Sequence, residues 1–182
     1  DAYRHVVIAL TEVTNFRLRL QHGDVDCIAL HKPPGQGVNL YPRLWRLLRR
    51  LRPAIVHTRN LAALEMQPVA WAAGVPCRIH GEHGRDVEDL DGSSVRYQRI
   101  RRLYAPFVHR YVALSQDLQG YLVRRVGIAP ARIHQIYNGV DADRFRPAPD
   151  GARDRSAMPF DAAEHVVFGT VGRMQTVKHQ IL

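Results

Sequence analysis

The sequence predicts an α/β fold in which a doubly wound parallel sheet is covered by helices on both faces. Short runs rich in β-branched residues alternate with helical patterns along almost the whole chain, and this alternation is typical of parallel strands joined by helical crossovers. Hydrophobic residues make up 46% of the 182 positions, which is enough for a packed core. Ligands of such sheets bind beyond the carboxyl ends of the strands, so polar residues that follow a strand are the first candidates for a site.

The first half of the chain is predicted to contain four strands and three helices. Segment 40–53 is the clearest helix, because its leucines share one face, arginines surround that face, and Pro53 ends it. Segment 60–74 is predicted to be one helix with Asn60 as its cap and Gly74 at its end, and a shorter helix is predicted within 15–21. The predicted strands are 5–10, 25–30, 54–58 and 75–80.

The second half continues the alternation. A helix over 95–107 precedes a strand over 110–114, and Ser115 is predicted to cap a helix that Gly127 ends. A strand over 131–137 then leads to a short helix with Asp141 as its cap. Residues 148–163 are polar and are predicted to form a linker, after which 165–173 starts a new strand.

Composition restricts the class of protein. Two cysteines do not make a disulfide framework, which fits a reducing compartment, and no apolar run has the length of a membrane span. The first residue is Asp1 and the last lies in an apolar pattern, so we expect a fragment of a cytoplasmic protein. The net charge is +9 and nearly all basic residues are arginine, which leaves nucleic acid, anionic lipid and phosphorylated substrates open.

The segment "HGEHGRD", residues 80–86, concentrates acid–base side chains directly after the predicted strand 75–80. A carboxylate beside a histidine orients the imidazole and raises its basicity, so it can accept a proton or bind a sugar hydroxyl. The alternative is that these residues only hold the loop. The sequence lacks the Pro-Cys-x-x-Cys half of the zinc deaminase signature, the Gly-x-Ser-x-Gly of serine hydrolases and the Gly-x-Gly-x-x-Gly dinucleotide fingerprint.

Three further motifs resemble a known family. The stretches "VALSQDLQGYLVRRVGIAPARI", "IHQIYNGVDADRFRP" and "FGTVGRMQTVKHQ" resemble the signature of retaining glycosyltransferases of family four. "HGEHGRD" is similar to a subgroup of sugar transferases associated with bacterial exopolysaccharide systems. The matching positions are Ser115, Leu118, Gly127, Ile128, Pro130, Ile133, Asn138, Gly139, Val140, Asp141, Phe145, Pro147, Gly172, Arg173 and Lys178.

The resemblance implies the GT-B architecture, in which two Rossmann-like domains face each other across a cleft. On that basis residues 1–147 form the acceptor-side domain without its first strand, 148–163 the linker, and 164–182 the truncated start of the nucleotide-sugar-binding domain. The activity implied is hexosyl transfer, with retention, from a nucleotide-diphosphate sugar to a glycan or lipid-linked acceptor in exopolysaccharide or cell-surface polysaccharide synthesis. The fragment alone is expected to be inactive.

The resemblance also assigns roles to individual residues. His83 is the expected catalytic histidine, facing acceptor and donor sugar. His80, Glu82, Arg85 and Asp86 are expected to bind the acceptor. Gly172, Arg173 and Lys178 are expected to bind the donor diphosphate, and no metal or other cofactor is expected because these cations take its place.

Two other functions remain open at this point. A basic, non-catalytic Rossmann-like domain that binds nucleic acid explains the charge but not "HGEHGRD", and no aromatic-interleaved basic stretch is present. A sugar-nucleotide epimerase on the same fold is the second alternative. The arginine-rich helix 40–53 also suggests peripheral contact with an anionic membrane at the inner face of the cell membrane.

Overall fold

The computed structural model describes residues 3–20, 25–86 and 88–146. Two sheets are present in this part of the chain, and every strand pairing in them is parallel. One sheet has two strands in the order β1-β2, and the other has four in the order β3-β4-β5-β6. The predicted α/β fold with parallel strands is therefore confirmed. The strands are β1 (Val6–Ala9), β2 (Asp26–Ala29), β3 (Ile55–Arg59), β4 (Cys77–Glu82), β5 (Arg110–Ala113) and β6 (Ile133–Gln135).

In the described ranges, five α-helices connect the strands, and short 3-10 turns precede or extend several of them. The helix predicted over 60–74 is two helices, because Pro68 lies in the first turn of the second one and cannot continue the first. Ser115 accepts a hydrogen bond from Leu118 N–H, as expected of a cap. The helices are α1 (Tyr41–Leu51), α2 (Leu61–Leu64), α3 (Gln67–Ala72), α4 (Val95–Tyr104) and α5 (Gln116–Tyr121), which continues as a π-helical turn over Leu122–Val126.

Two apolar clusters cover the strands with different sets of helices. Leu44, Leu47 and Leu48 of α1 pack with Leu30 and with residues of α3 in one cluster. The arginines of α1 remain exposed around this buried stripe, as the pattern predicted. The second cluster joins β5 and β6 to α5 and the π-helical turn that follows it.

The register of the large sheet places the ends of three strands side by side. Arg59 at the end of β3 lies opposite Gly81, and Glu82 at the end of β4 lies opposite Ala113 at the end of β5. The residues that follow these strands therefore lie together at the carboxyl end of the sheet, which is where parallel sheets bind ligands.

The chain divides into two compact units, Asp1–Tyr137 and Asn138–Leu182. In the described part of the second unit, Asp141 Oδ1 accepts from the backbone N–H of Asp143 and of Arg144, at 3.1 and 3.0 Å. Asp141 thus acts as a cap, but the predicted helix is a single turn, and Phe145 is exposed. The predicted linker 148–163, strand 165–173 and domain start 164–182 lie outside the described residues.

Candidate active site

The segment 80–86 begins in β4 and leaves it at the carboxyl edge of the large sheet. Side chains of a strand alternate between the two faces, so even-numbered and odd-numbered residues here have different surroundings. His80 and Glu82 point to one face and are fully buried. His83, the first residue after β4, is partly exposed. The segment therefore has a buried half and an accessible half.

The buried half is organised by Arg101 of α4. Its Nε donates to Glu82 Oε1 at 2.7 Å, and its Nη2 donates to Glu82 Oε2 at 3.1 Å and to Asp86 Oδ2 at 3.2 Å. Burial raises the pKa of Glu82, but His80 and the Arg101 guanidinium outweigh it and lower that pKa to about 2. Glu82 is therefore a carboxylate at neutral pH, and its ion pair with Arg101 joins the end of β4 to α4.

His80 is held by a second group of polar side chains. Its Nδ1 lies 2.8 Å from Thr58 Oγ1, and Gln67 Nε2 donates to the same Oγ1 at 2.7 Å. The other ring nitrogen of His80, Nε2, lies 3.5 Å from Glu82 Oε1. Sequence analysis assigned His80 and Glu82 to acceptor binding. Both are buried in this conformation, and contact of either residue with an acceptor stays a prediction.

The accessible half is organised by Arg59 at the end of β3. Arg59 Nε donates to His83 Nε2 at 3.0 Å, and its Nη2 lies 2.8 Å from His83 Nδ1. Burial lowers the pKa of His83, and Arg59, His57 and His80 lower it further against an opposing effect of Glu82. His83 is therefore a neutral imidazole at neutral pH, and its one lone pair accepts from Arg59 Nε in this conformation.

Asn60 fixes the backbone of His83. Its Oδ1 accepts from His83 N–H at 3.2 Å, and its own N–H donates to Gly81 O at 2.9 Å. Asn60 has φ 61° and ψ 164°, a conformation that residues other than glycine rarely adopt and that is found most often at functional sites. Asn60 lies at the N-cap position of α2, as predicted, but its side-chain oxygen accepts from His83 N–H and not from the first turn of the helix.

Arg59 and Asn60 were missed by the sequence analysis. Their positions in the sequence indicate a site, because both residues directly follow the predicted strand 54–58 and ligands bind beyond the carboxyl ends of parallel strands.

The other two residues assigned to acceptor binding have structural contacts in this conformation. Arg85 Nη2 donates to Asp117 Oδ2 at 2.6 Å, and its guanidinium carbon lies 5.5 Å from the centre of the Tyr121 ring. Asp86 is one-third exposed and accepts from Arg101. Contact of Arg85 or Asp86 with an acceptor stays a prediction.

The predicted donor site lies outside the described residues, since it consists of Gly172, Arg173 and Lys178. Within the described ranges, no group of three or more His, Cys, Asp or Glu side chains is arranged to hold a metal ion. The expectation of a metal-independent reaction is not tested by this.

Two cavities lie away from this site. One has about 370 Å³, is lined by Thr11, Glu12, Thr14, His31 and Lys32, and lies where β1 and β2 end. The other is an apolar groove of about 570 Å³ between α1 and α3, and we call it the tryptophan groove because Trp45 and Trp71 line it. These indoles are 42% and 57% exposed.

Parallel strands under helices, with a histidine at the strand-end edge, define a Rossmann-like ligand-binding domain. Residues 3–144 match the family Glycosyltransferase Family 4. Because this match covers most of the chain, the protein belongs to that family.

Three curated relatives are similar to parts of the chain. A UDP-Gal:alpha-D-GlcNAc-diphosphoundecaprenol alpha-1,3-galactosyltransferase of Escherichia coli is 28% identical over 141 residues, 76% of this chain and 36% of the relative. EpsF of Bacillus subtilis (strain 168), which has a provisional glycosyltransferase name, is 28% identical over 112 residues, 60% of this chain and 29% of EpsF. D-inositol 3-phosphate glycosyltransferase 2 of Catenulispora acidiphila is 40% identical over 70 residues, 38% of this chain and 16% of the relative. The chain thus spans about a third or less of the length of these relatives.

Proposed function

We propose that this chain is the acceptor-side part of a glycosyltransferase that moves a hexose, with retention, from a nucleotide-diphosphate sugar to a glycan or lipid-linked acceptor. The observation that carries the proposal is the family match over residues 3–144 together with a neutral histidine at the end of β4. The proposed setting is bacterial exopolysaccharide or cell-surface polysaccharide synthesis, at the cytoplasmic face of the membrane.

In this proposal His83 binds a sugar hydroxyl through its imidazole. A neutral ring accepts such a hydrogen bond, and a protonated ring would not. The low pKa that burial and Arg59 give His83 therefore supports this role. Arg59 now occupies the lone pair of His83, so binding of a substrate hydroxyl there requires Arg59 to turn aside.

The departing nucleotide diphosphate is assigned to the predicted pair Arg173 and Lys178, with the backbone at Gly172. Glycosyl transfer passes through an oxocarbenium-like transition state, and the leaving group carries negative charge. Fixed cations around that charge lower the barrier without a metal ion.

The acceptor class follows from the relatives and from the surface of the chain. The Escherichia coli relative is named for a diphosphoundecaprenol-linked acceptor, and we propose a lipid-linked diphosphate sugar for this protein. Such an acceptor lies at a membrane surface. No helix in the described residues is long and apolar enough to cross a membrane. We propose a peripheral contact with the bilayer.

We assign that contact to the tryptophan groove and the arginines beside it. Trp45 and Trp71 expose their rings, and tryptophan is favoured at the boundary between lipid and water. Arg46, Arg49 and Arg50 are exposed on the same helix as Trp45 and complement an anionic bilayer.

The test is transfer by the intact protein from a panel of nucleotide sugars to a polyprenyl-diphosphate sugar. We expect a disaccharide product that keeps the anomeric configuration of the donor, and its loss in Arg173→Ala and Lys178→Ala variants. Undiminished transfer in both variants would contradict the donor assignment.

The same assay separates the alternatives. Conversion of the donor sugar in the absence of an acceptor would favour the epimerase. Salt-dependent gel shifts with random DNA and RNA, without any transfer, would favour the nucleic-acid-binding domain.

A further inference from the structure

The charge of Arg59 is not neutralised by any described residue. No carboxylate of the described residues lies within 4.0 Å of its guanidinium nitrogens. Its side-chain contacts are with the two ring nitrogens of His83. A neutral imidazole offers a single lone pair, so only one of these contacts is a full hydrogen bond. The guanidinium therefore keeps donors free for a ligand.

Two imidazoles lie beside this guanidinium on the same face of the sheet. His57 and Arg59 of β3 are both exposed and are two residues apart, so they point to one face. The ring centres of His57 and His83 are 6.5 Å apart. A Cβ atom added to Gly81 would lie 2.6 Å from His83 Nε2 and 2.9 Å from His57 Nε2. Both imidazole rings therefore pack over Gly81, whose lack of a side chain allows this close approach.

We propose that Arg59, His57 and His83 form a subsite for the diphosphate of the acceptor. The planar fork of an arginine matches two phosphate oxygens, and charge-assisted hydrogen bonds of this kind are strong. The neutral imidazoles of His57 and His83 add N–H donors beside this guanidinium, because both rings pack over Gly81, which has no side chain. This subsite rests on the proposed function for the identity of its ligand, but the binding of an anion can be measured without any transfer.

The electrostatics of His83 supply a signature of occupancy. The charged and titratable groups around it are Arg59 and His57 on β3, and His80 and Glu82 on β4. Burial and the three basic groups lower the pKa of His83, and Glu82 opposes them. A bound diphosphate neutralises Arg59 and adds negative charge, so occupancy raises the pKa of His83.

Two substrates of the proposed reaction carry a diphosphate, the nucleotide sugar and the lipid-linked acceptor. We assign the subsite to the acceptor, because the donor diphosphate already has predicted partners in Arg173 and Lys178. Three probes separate the sources. Pyrophosphate tests binding of the diphosphate group that both substrates share. Uridine diphosphate represents the donor, and farnesyl diphosphate represents the lipid-linked acceptor.

The experiment titrates the intact protein with each probe and compares wild type with Arg59→Gln and Arg110→Gln. Arg110 is an exposed arginine at the start of β5, at the amino end of the sheet. Its substitution by glutamine removes the same charge as Arg59→Gln. We expect Arg59→Gln to weaken pyrophosphate and farnesyl diphosphate about tenfold or more and to leave uridine diphosphate unchanged. Arg110→Gln should stay within about twofold of wild type for all three. In wild type, pyrophosphate should raise the pKa of the His83 imidazole measured by NMR.

Equal affinity of wild type and Arg59→Gln for pyrophosphate would overturn the subsite. An equal loss of uridine diphosphate binding would assign it to the donor and overturn the acceptor assignment. Arg59→Lys keeps the charge without the fork and should bind with intermediate affinity. Binding of the probes without any sugar transfer would leave the subsite standing and reject the proposed function. Sugar transfer by the intact protein, together with unchanged affinity of Arg59→Gln for all three probes, would support the proposed function and reject the subsite.

Discussion

Arg101 and Glu82 form a fully buried ion pair beneath the end of β4, with Nε 2.7 Å from Oε1 and Nη2 3.1 Å from Oε2. The same Nη2 donates to Asp86, so one guanidinium binds the loop on both sides of His83. The pair connects α4 to the strand that carries the candidate histidine.

Removing Arg101 leaves Glu82 buried without its charge partner. We expect Arg101→Ala to lower the free energy of unfolding by about 3–5 kcal/mol, the usual cost of breaking a buried pair on one side. Urea denaturation followed by circular dichroism measures it. Arg99→Ala, on an exposed position of the same helix, is the matched control and should stay within about 0.5 kcal/mol of wild type. Equal stability of the two variants would contradict the role of the pair.

The low pKa of Glu82 makes the stability depend on pH. Because the folded-state pKa is about 2 and the ordinary value is 4.5, the contribution is complete above 4.5 and is lost as the pH falls toward 2. The stability difference between wild type and Glu82→Gln should therefore shrink by on the order of 2 kcal/mol between pH 7 and pH 3. Urea denaturation at both pH values measures it. A constant difference would show that the carboxylate is not stabilised in the folded protein, and Glu88→Gln serves as the surface control.

Asn60 combines a strained backbone with a hydrogen bond to His83. Asn60→Ala loses the acceptor for His83 N–H and keeps the strain, so we expect a loss of about 1–3 kcal/mol. Asn60→Gly loses the same acceptor but adopts the positive φ freely, so it should be more stable than Asn60→Ala. Thermal unfolding of the two variants decides this. Alanine as stable as glycine at this position would show that the backbone is not strained.

The tryptophan groove should bind anionic vesicles. We expect the triple variant Arg46→Gln, Arg49→Gln, Arg50→Gln to lose about 1 kcal/mol of binding per arginine at low salt. Trp45→Ala with Trp71→Ala should weaken binding to the same vesicles even at high salt, because apolar insertion is not screened. Cosedimentation with phosphatidylglycerol vesicles measures both, and Arg96→Gln, Arg99→Gln, Arg110→Gln provides the same charge change elsewhere. Equal losses in the two triple variants would reject a specific membrane-contacting face.

Local patterns predicted the elements, but the partners of the site residues could not be predicted. The sequence singles out His83 because the segment 80–86 follows the predicted strand 75–80 and resembles a segment of the family, and the catalytic role of His83 stays a prediction. The pairing of Glu82 with Arg101 could not be predicted, because the two residues are nineteen positions apart in the sequence and meet only in the folded chain. The cap Asn60 and the terminator Gly74 predict one helix over 60–74, but Pro68 lies at the start of a second helix. Asn60 has the sequence features of a cap, and the close approach of β4 is what gives its side chain another partner.

The most direct test of the account is the sugar-transfer rate of the intact protein with His83→Ala, measured beside Arg110→Gln. If His83 binds the reacting sugars, kcat/KM should fall at least about 100-fold, while the unfolding midpoint and the Arg110→Gln rate stay close to wild type. A His83→Ala rate within about twofold of wild type would contradict the account, because the strand-end imidazole would then have no part in the reaction.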